Sequence, residues 1–197
     1  MVSGRVSHEI IFVGRSNVGK SSLFSAIFGR RVRKGAKPGT TIKPNQIVYR
    51  DLLITDMPGY GYIHGVNRKF NERVKDFIVH YIENNAERIL TAVHVVDAKA
   101  FPEIVERWES RGEIPVDLEM YEFLDEVSDV IVAANKIDKV DDVERTVKTI
   151  AEKLGMLTTD KIFPVSAKKG DVASLKNELK ERLIQIGRED LTSVFKR

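Results

Sequence analysis

The sequence has 197 residues, 31% of them charged, a formal net charge of +3 and no cysteine. That length suits one well-buried domain rather than two. Without cysteine there are no disulfides, thiolate metal sites or cysteine nucleophiles, so the core must supply the stability. Apolar runs such as Ala92–Val96 are far shorter than a membrane span, and the opening MVSGRVSHEI lacks the apolar region of a secretory signal. A cytoplasmic protein with no membrane partner is expected. Charge is unevenly spread: residues 30–43, RRVRKGAKPGTTIK, hold six bases and no acid, whereas residues 103–129 hold ten acids and two bases. The basic run reads either as a solvated loop or as a surface for polyanions.

In chain order, EIIFVG is the first predicted strand, and it opens through a glycine-rich turn onto helix-forming residues. NQIVYR and DLLITD follow as strands. Phe70, Val74, Phe77, Ile78, Tyr81 and Ile82 then repeat at helical spacing. LTAVHVVD, VIVAAN and KIFPVS supply three more strands. Asp142 and Gly155 bracket one helix, while Asp171 is the predicted N-cap of the last helix and Gly187 its stop. Strands alternating with helices imply a mostly parallel sheet wrapped by helices. The domain is expected to span residues 1–187, leaving 188–197 as a loose tail.

The turn after the first strand carries the chemistry. Gly14, Gly19, Lys20 and Ser21 fit the Walker A spacing, within the run Gly14, Arg15, Ser16, Asn17, Val18, Gly19, Lys20, Ser21, Ser22. Glycines let backbone N–H groups converge on phosphate oxygens at a helix N-terminus. Lys20 would neutralise the β/γ-phosphates, and the Ser21 hydroxyl would ligate Mg2+. DMPG, residues Asp56, Met57, Pro58 and Gly59, follows an apolar strand; its carboxylate can hold Mg2+ through water, with Gly59 free to approach the γ-phosphate. NKID places Asn135, Lys136 and Asp138 after another strand. The Asp138 carboxylate can accept two hydrogen bonds from guanine, which the edge of adenine cannot offer. Lys136 would lay its stem on the purine while Asn135 ties the loop to the phosphate loop. Val165, Ser166 and Ala167 follow the last strand, and the Ser166 and Ala167 backbone can meet the guanine oxygen.

GRSNVGKSSL, KPGTTIKPN, DMPGYGY, NKID and VSA together resemble the EngB (YihA/YsxC) GTPases, of the Era-like branch of translation-factor-related P-loop GTPases, over nearly the whole chain. The resemblance implies a three-layer α/β Ras-like G domain with a mixed, mostly parallel sheet flanked by helices. It places Gly39, Thr40 and Thr41 in the first switch, with Thr41 as the switch threonine and a Mg2+ ligand. It implies a monomeric assembly factor acting with the large ribosomal subunit and its rRNA, with no DNA partner, and needed for cell division and septation. Two departures stand out. FPEIVERWESRGEI after Asp97 is an added helical excursion, packed through Ile104, Val105 and Trp108, and Asn135 stands where bacterial relatives often have threonine.

Catalysis falls to Lys20, Thr41 and Gly59. Many GTPases follow the glycine with a water-orienting glutamine; here Tyr60 follows Gly59, so slow intrinsic hydrolysis is expected. Asn17 matches the position that helps hold K+ in Era-like relatives, its other reading being a plain turn residue. His64 reads as a flexible-loop residue and His94 as a satisfied core residue. Cations from Arg30 to Lys37, just before Thr41, would meet RNA phosphates once the first switch is ordered. Two other classes stay open: a GTP-binding module with negligible hydrolysis, and a small-molecule phosphotransferase, against which NKID argues.

Overall fold

The computed structural model of the protein describes residues 6–29, 43–61 and 68–195. The cations from Arg30 to Lys37, the switch residues Gly39, Thr40 and Thr41, and His64 lie outside the described residues. Six strands form one sheet: β1 His8–Gly14, β2 Asn45–Tyr49, β3 Leu52–Asp56, β4 Ile89–Asp97, β5 Val130–Asn135 and β6 Ile162–Pro164. Their order is β2-β3-β1-β4-β5-β6, with β2 antiparallel to β3 and every other pairing parallel. Each of the six expected segments is a strand.

Side-chain alternation explains the layers. Along β1, Ile10 and Phe12 enter the core beneath α1 (Lys20–Phe28) and α6 (Ala173–Gln185). Ile11 and Val13 enter the opposite core, shared with α2 (Arg68–Glu83), α3 (Ala100–Glu109), α4 (Val116–Val127) and α5 (Val143–Lys153). A central parallel strand covered on both faces has to be apolar on both, which is why EIIFV is a run rather than an alternation. Because β1, β3, β4, β5 and β6 run parallel, their carboxyl ends lie at one end of the sheet, where ligands bind in such folds.

Three local expectations are corrected. Asp171 does not cap α6: its backbone forms a two-way bridge with Ser166, at 2.8 and 3.0 Å, and Val172 takes the cap position without a side-chain bond. Asp142 does cap α5, accepting from the Arg145 amide at 3.0 Å. The loose tail is instead packed: Glu189–Phe195 forms a 3-10 segment whose Leu191, Val194 and Phe195 are buried against the α1 and α6 core. Arg188 grips the Asp51 carboxylate with two bonds of 2.6 Å, and Arg50 meets Asp190 at 2.7 Å. The excursion is helical, as α3, but its anchors are Phe101 and Val105, while Ile104 and Trp108 are only half-buried.

Candidate functional site

The phosphate loop leaves β1 at Gly14, where a Cβ would sit 2.4 Å from the Val95 carbonyl oxygen, so β1 and β4 approach too closely for any side chain. Arg15 and Ser16 follow. Asn17 and Gly19 both have left-handed φ, 70° and 90°, which turns the loop back over the start of α1. Gly19 also has no room for a Cβ, which would lie 2.4 Å from Asn135 Nδ2. Lys20, 6% exposed, then donates to Asp56 Oδ1 at 2.6 Å, and the Ser21 hydroxyl to Asp56 Oδ2 at 2.7 Å. Ser22 is exposed on the outer side of α1. Thus the lysine and serine of one motif and the aspartate of another, 35 residues later, share one carboxylate. The donors left on Ser21 and Asp56 are hard oxygens, the set that suits Mg2+ completed by substrate phosphates and water.

DMPG lies along the phosphate loop. The Met57 amide reaches the Phe12 carbonyl at 3.0 Å, and the Ser16 hydroxyl donates to the Gly59 carbonyl at 3.2 Å. A Cβ on Gly59 would come within 2.9 Å of Ser16 Cα, so the two segments are in backbone contact. Met57 is buried and Pro58 half-buried.

At the base end, Asn135 bridges loops. Its Nδ2 donates to the Val18 carbonyl at 2.8 Å and its Oδ1 accepts from the Ala167 amide at 3.1 Å. Lys136, left-handed at φ 65°, extends its ammonium to the Asn17 carbonyl at 2.7 Å and to Asp97 Oδ2 at 2.6 Å. The exposed Asp138 accepts from the Ser166 hydroxyl at 2.5 Å, and that bond holds its carboxyl below the usual carboxylate range. The Val165 carbonyl takes the Ile137 amide at 3.1 Å, docking the two loops. The amides proposed from sequence to meet guanine are bonded differently here: Ser166 donates to the Asp171 carbonyl and Ala167 to Asn135, so both hold the loop's shape.

The structure therefore gathers the phosphate-loop, DMPG, NKID and VSA residues at the carboxyl ends of β1, β3, β5 and β6. The family model described as "50S ribosome-binding GTPase" matches residues 9–136. The chain is 54% identical over 194 residues to the "Probable GTP-binding protein EngB" of Archaeoglobus fulgidus, covering 95% of this chain and 98% of that protein. With the protein of the same name from Methanosarcina barkeri it shares 52% identity over 194 residues, covering 94% and 93%. It belongs to the EngB family of GTP-binding GTPases. A crystal structure of a probable GTP-binding protein EngB superposes with a TM-score of 0.83 at 47% identity, covering 90% of this chain and 99% of that one, so the G-domain fold of the EngB family is also the fold seen here.

Two features of this EngB-family site were not read from the sequence. Asp97 was taken only as a strand end, yet it pairs with Lys136. Tyr60 was judged by what it cannot do to water; in the structure it is fully buried, and its hydroxyl lies 2.9 Å from His94 Nε2 and donates at 2.9 Å to Asp117, a residue no motif marked. Burial, with the Asp117 charge beside it, pushes the phenol well above its ordinary range, and burial lowers His94 to about 4. His94 is only partly satisfied, since its Nδ1 is buried without a partner. A cleft of about 210 Å3 separates Arg15–Val18 from Ala100, Phe101 and Ile104, so α3 faces the outer side of the phosphate loop. Among the described residues no helix is long and apolar enough to cross a membrane.

Proposed function

We propose that the protein binds GTP and GDP with Mg2+, hydrolyses GTP slowly to GDP and phosphate, and works as a nucleotide-controlled switch in maturation of the large ribosomal subunit. The observation that carries this is the Asp56 carboxylate, on which the phosphate-binding lysine and the metal-binding serine converge at 2.6 and 2.7 Å. Ser21 and Asp56, with Thr41, would hold Mg2+, and Lys20 would meet the nucleotide phosphates; the metal would supply neutralisation of the charge that develops there. Lys20 and the loop amides would stabilise the same charge, and the Gly59 amide would meet the γ-phosphate. Asp138, already oriented by Ser166, reads guanine. The burial of Tyr60 supports the slow rate, because its phenol is committed to the core. Asn17, exposed and left-handed, is the residue for a K+ that would quicken the reaction.

The likeness to a family described as ribosome-binding supports the large subunit as partner. Action as a cytoplasmic monomer, contact of the basic run with rRNA, and a requirement in cell division and septation belong to the same proposal. The test measures nucleotide binding and phosphate release with and without large ribosomal subunits. GTP and GDP are expected to bind far more tightly than ATP, turnover to be slow alone, and the subunit to be retained with a non-hydrolysable GTP analogue. Comparable ATP and GTP affinities would end the guanine assignment. Asp138→Asn should weaken GTP on the order of 100-fold and favour xanthine nucleotides, because the carboxylate's two bonds to guanine are lost. The specific features of Tyr60 also keep a second reading in play, a GTP-binding module with negligible hydrolysis; it predicts tight GTP binding and no phosphate release even with the subunit.

A further inference from the structure

Asp117 is 1% exposed and stands in the first turn of α4, where the helix dipole favours an anion. Its two oxygens take donors from two different parts of the nucleotide site: Oδ1 accepts the Tyr60 hydroxyl at 2.9 Å, and Oδ2 accepts Arg15 Nη1 at 3.1 Å. The phenol has one hydrogen, and the carboxylate is an acceptor only, so that hydrogen points to Asp117. The phenol oxygen then accepts Nε2–H of His94, leaving Nδ1 as the unprotonated nitrogen, which is the one without a partner.

Arg15 does a second thing. Gly61, left-handed at φ 86°, rests on its guanidinium: a Cβ there would lie 3.4 Å from Nε and 3.5 Å from Cζ. Tyr60 and Gly61 are therefore both seated on groups that Asp117 holds. The backbone completes the joint, with the Ser16 amide donating to the Tyr60 carbonyl at 2.9 Å and Arg15 and Tyr60 forming a parallel bridge.

We infer that Asp117 is a positioning residue for the nucleotide switch: through Arg15 and Tyr60 it fixes the phosphate loop, Tyr60 and Gly61 as one body, so that Gly59 meets a γ-phosphate from a set position. The inference rests on the GTPase reading above. None of these side chains touches the reacting atoms. Their effect is to limit where the Gly59 amide can go, so it should be felt by GTP, which has a γ-phosphate, and not by GDP, which has none.

Asp117→Asn keeps the volume and an acceptor for Tyr60 but removes the charge that holds Arg15; Arg15→Gln breaks the same pair from the other side, at a site that is 17% exposed and more forgiving to the fold. Affinities for GDP and for a non-hydrolysable GTP analogue, and kcat and KM for GTP, are measured on both variants and on the double variant, with thermal unfolding to check folding. GDP affinity is expected to stay within about twofold, the preference for the analogue over GDP to fall at least fivefold, and kcat to fall about tenfold, with KM for GTP rising in step with the analogue's Kd because turnover is slow. The double variant should be no worse than either single one, because both break one joint. If Asp117→Asn does not fold, Arg15→Gln alone decides. Additive losses, equal weakening of GDP and the analogue, or variants that match the unmodified protein would overturn the inference. An unmodified protein that binds no GTP would refute the GTPase reading itself, which separates the two failures.

Discussion

Two buried carboxylates lie at opposite ends of the sheet. Glu9, at the amino end of β1, is 0% exposed; it accepts from Thr55 at 2.5 Å, Tyr81 at 2.6 Å and Arg88 at 2.8 Å. Asp117, at the carboxyl end of the strands, is as deeply buried but draws its donors from Arg15 of the phosphate loop and Tyr60 after DMPG. The first carboxylate joins β1, β3 and α2 with every oxygen satisfied. The second leaves an unpaired nitrogen in its neighbourhood, at His94. Identical chemistry thus ties scaffold to scaffold at one end and loop to loop at the other, and what differs is whether the donors belong to strands and helix or to the phosphate loop and the residues after DMPG. A buried pair is costly to desolvate and costlier to break, so each end should respond in its own way when a partner is lost.

The largest effect is expected at the scaffold end. Glu9→Ala strands the Thr55 and Tyr81 hydroxyls and a guanidinium in the interior, and should lower unfolding stability by about 3 kcal/mol, the low end for a broken buried pair because Arg88 can turn to water. Denaturant unfolding measures this, and the nucleotide affinity of the folded fraction should not change. If Glu9→Ala altered GTP preference instead, the division between the two ends would be lost.

The loop end is next, and pH exposes it. Burial holds His94 at about 4, below its ordinary value of 6.5, in contact with Tyr60 and Tyr121 and near the Asp117–Arg15 pair. The unfolded chain therefore binds a proton that the folded chain refuses. Stability from His94 is complete above about pH 6.5 and is lost as pH falls toward 4, by up to about 3 kcal/mol. His94→Gln keeps an N–H for Tyr60 and should flatten the slope of stability between pH 6.5 and 4.5. An unchanged slope would assign the acid sensitivity to other groups.

The smallest effect sharpens the contrast between buried and wet pairs at one end. Arg188 holds the Asp51 carboxyl down to about 2, but both side chains are about a quarter exposed, at 24% and 27%, and water screens them. Arg188→Ala should cost about 1 kcal/mol at neutral pH. Because the Asp51 value is lowered, that contribution is present above about pH 4 and fades as pH falls toward 2. Thermal unfolding of both proteins across that range checks it: a difference that persists at pH 2 would mean the loss was packing, not charge.

What could be read from the sequence was what is contiguous in it. Glycines, lysine and serine within eight positions define a phosphate loop whatever surrounds them, and NKID after an apolar strand does the same for the base. The inner strands β1, β3, β4 and β5 are visible because a covered parallel strand reads as an apolar run, while the edge strands β2 and β6 show through their β-branched and aromatic residues. Tyr60 and Asp117 are 57 residues apart, and Glu9 and Arg88 are 79 apart, so no local pattern links them; which strand ends lie side by side decides those pairs. Asp171 looks like a cap, but its backbone N–H and C=O pair with Ser166, so the cap position falls one residue later, on Val172. The tail was misjudged because GREDLTS is polar, although Leu191, Val194 and Phe195 at spacings of three and four carried a readable stripe.

Phe195 has a consequence in time. It stacks on Phe28 at 5.3 Å between ring centres, and Phe28 in turn meets Phe24 at 5.0 Å and Phe12 at 6.0 Å. Phe12, Phe24 and Phe28 are synthesised long before Phe195. At about 5–20 residues per second, the gap is on the order of ten seconds or more. Through that interval the face of Phe28 that Phe195 covers in the folded protein has no ring to close it.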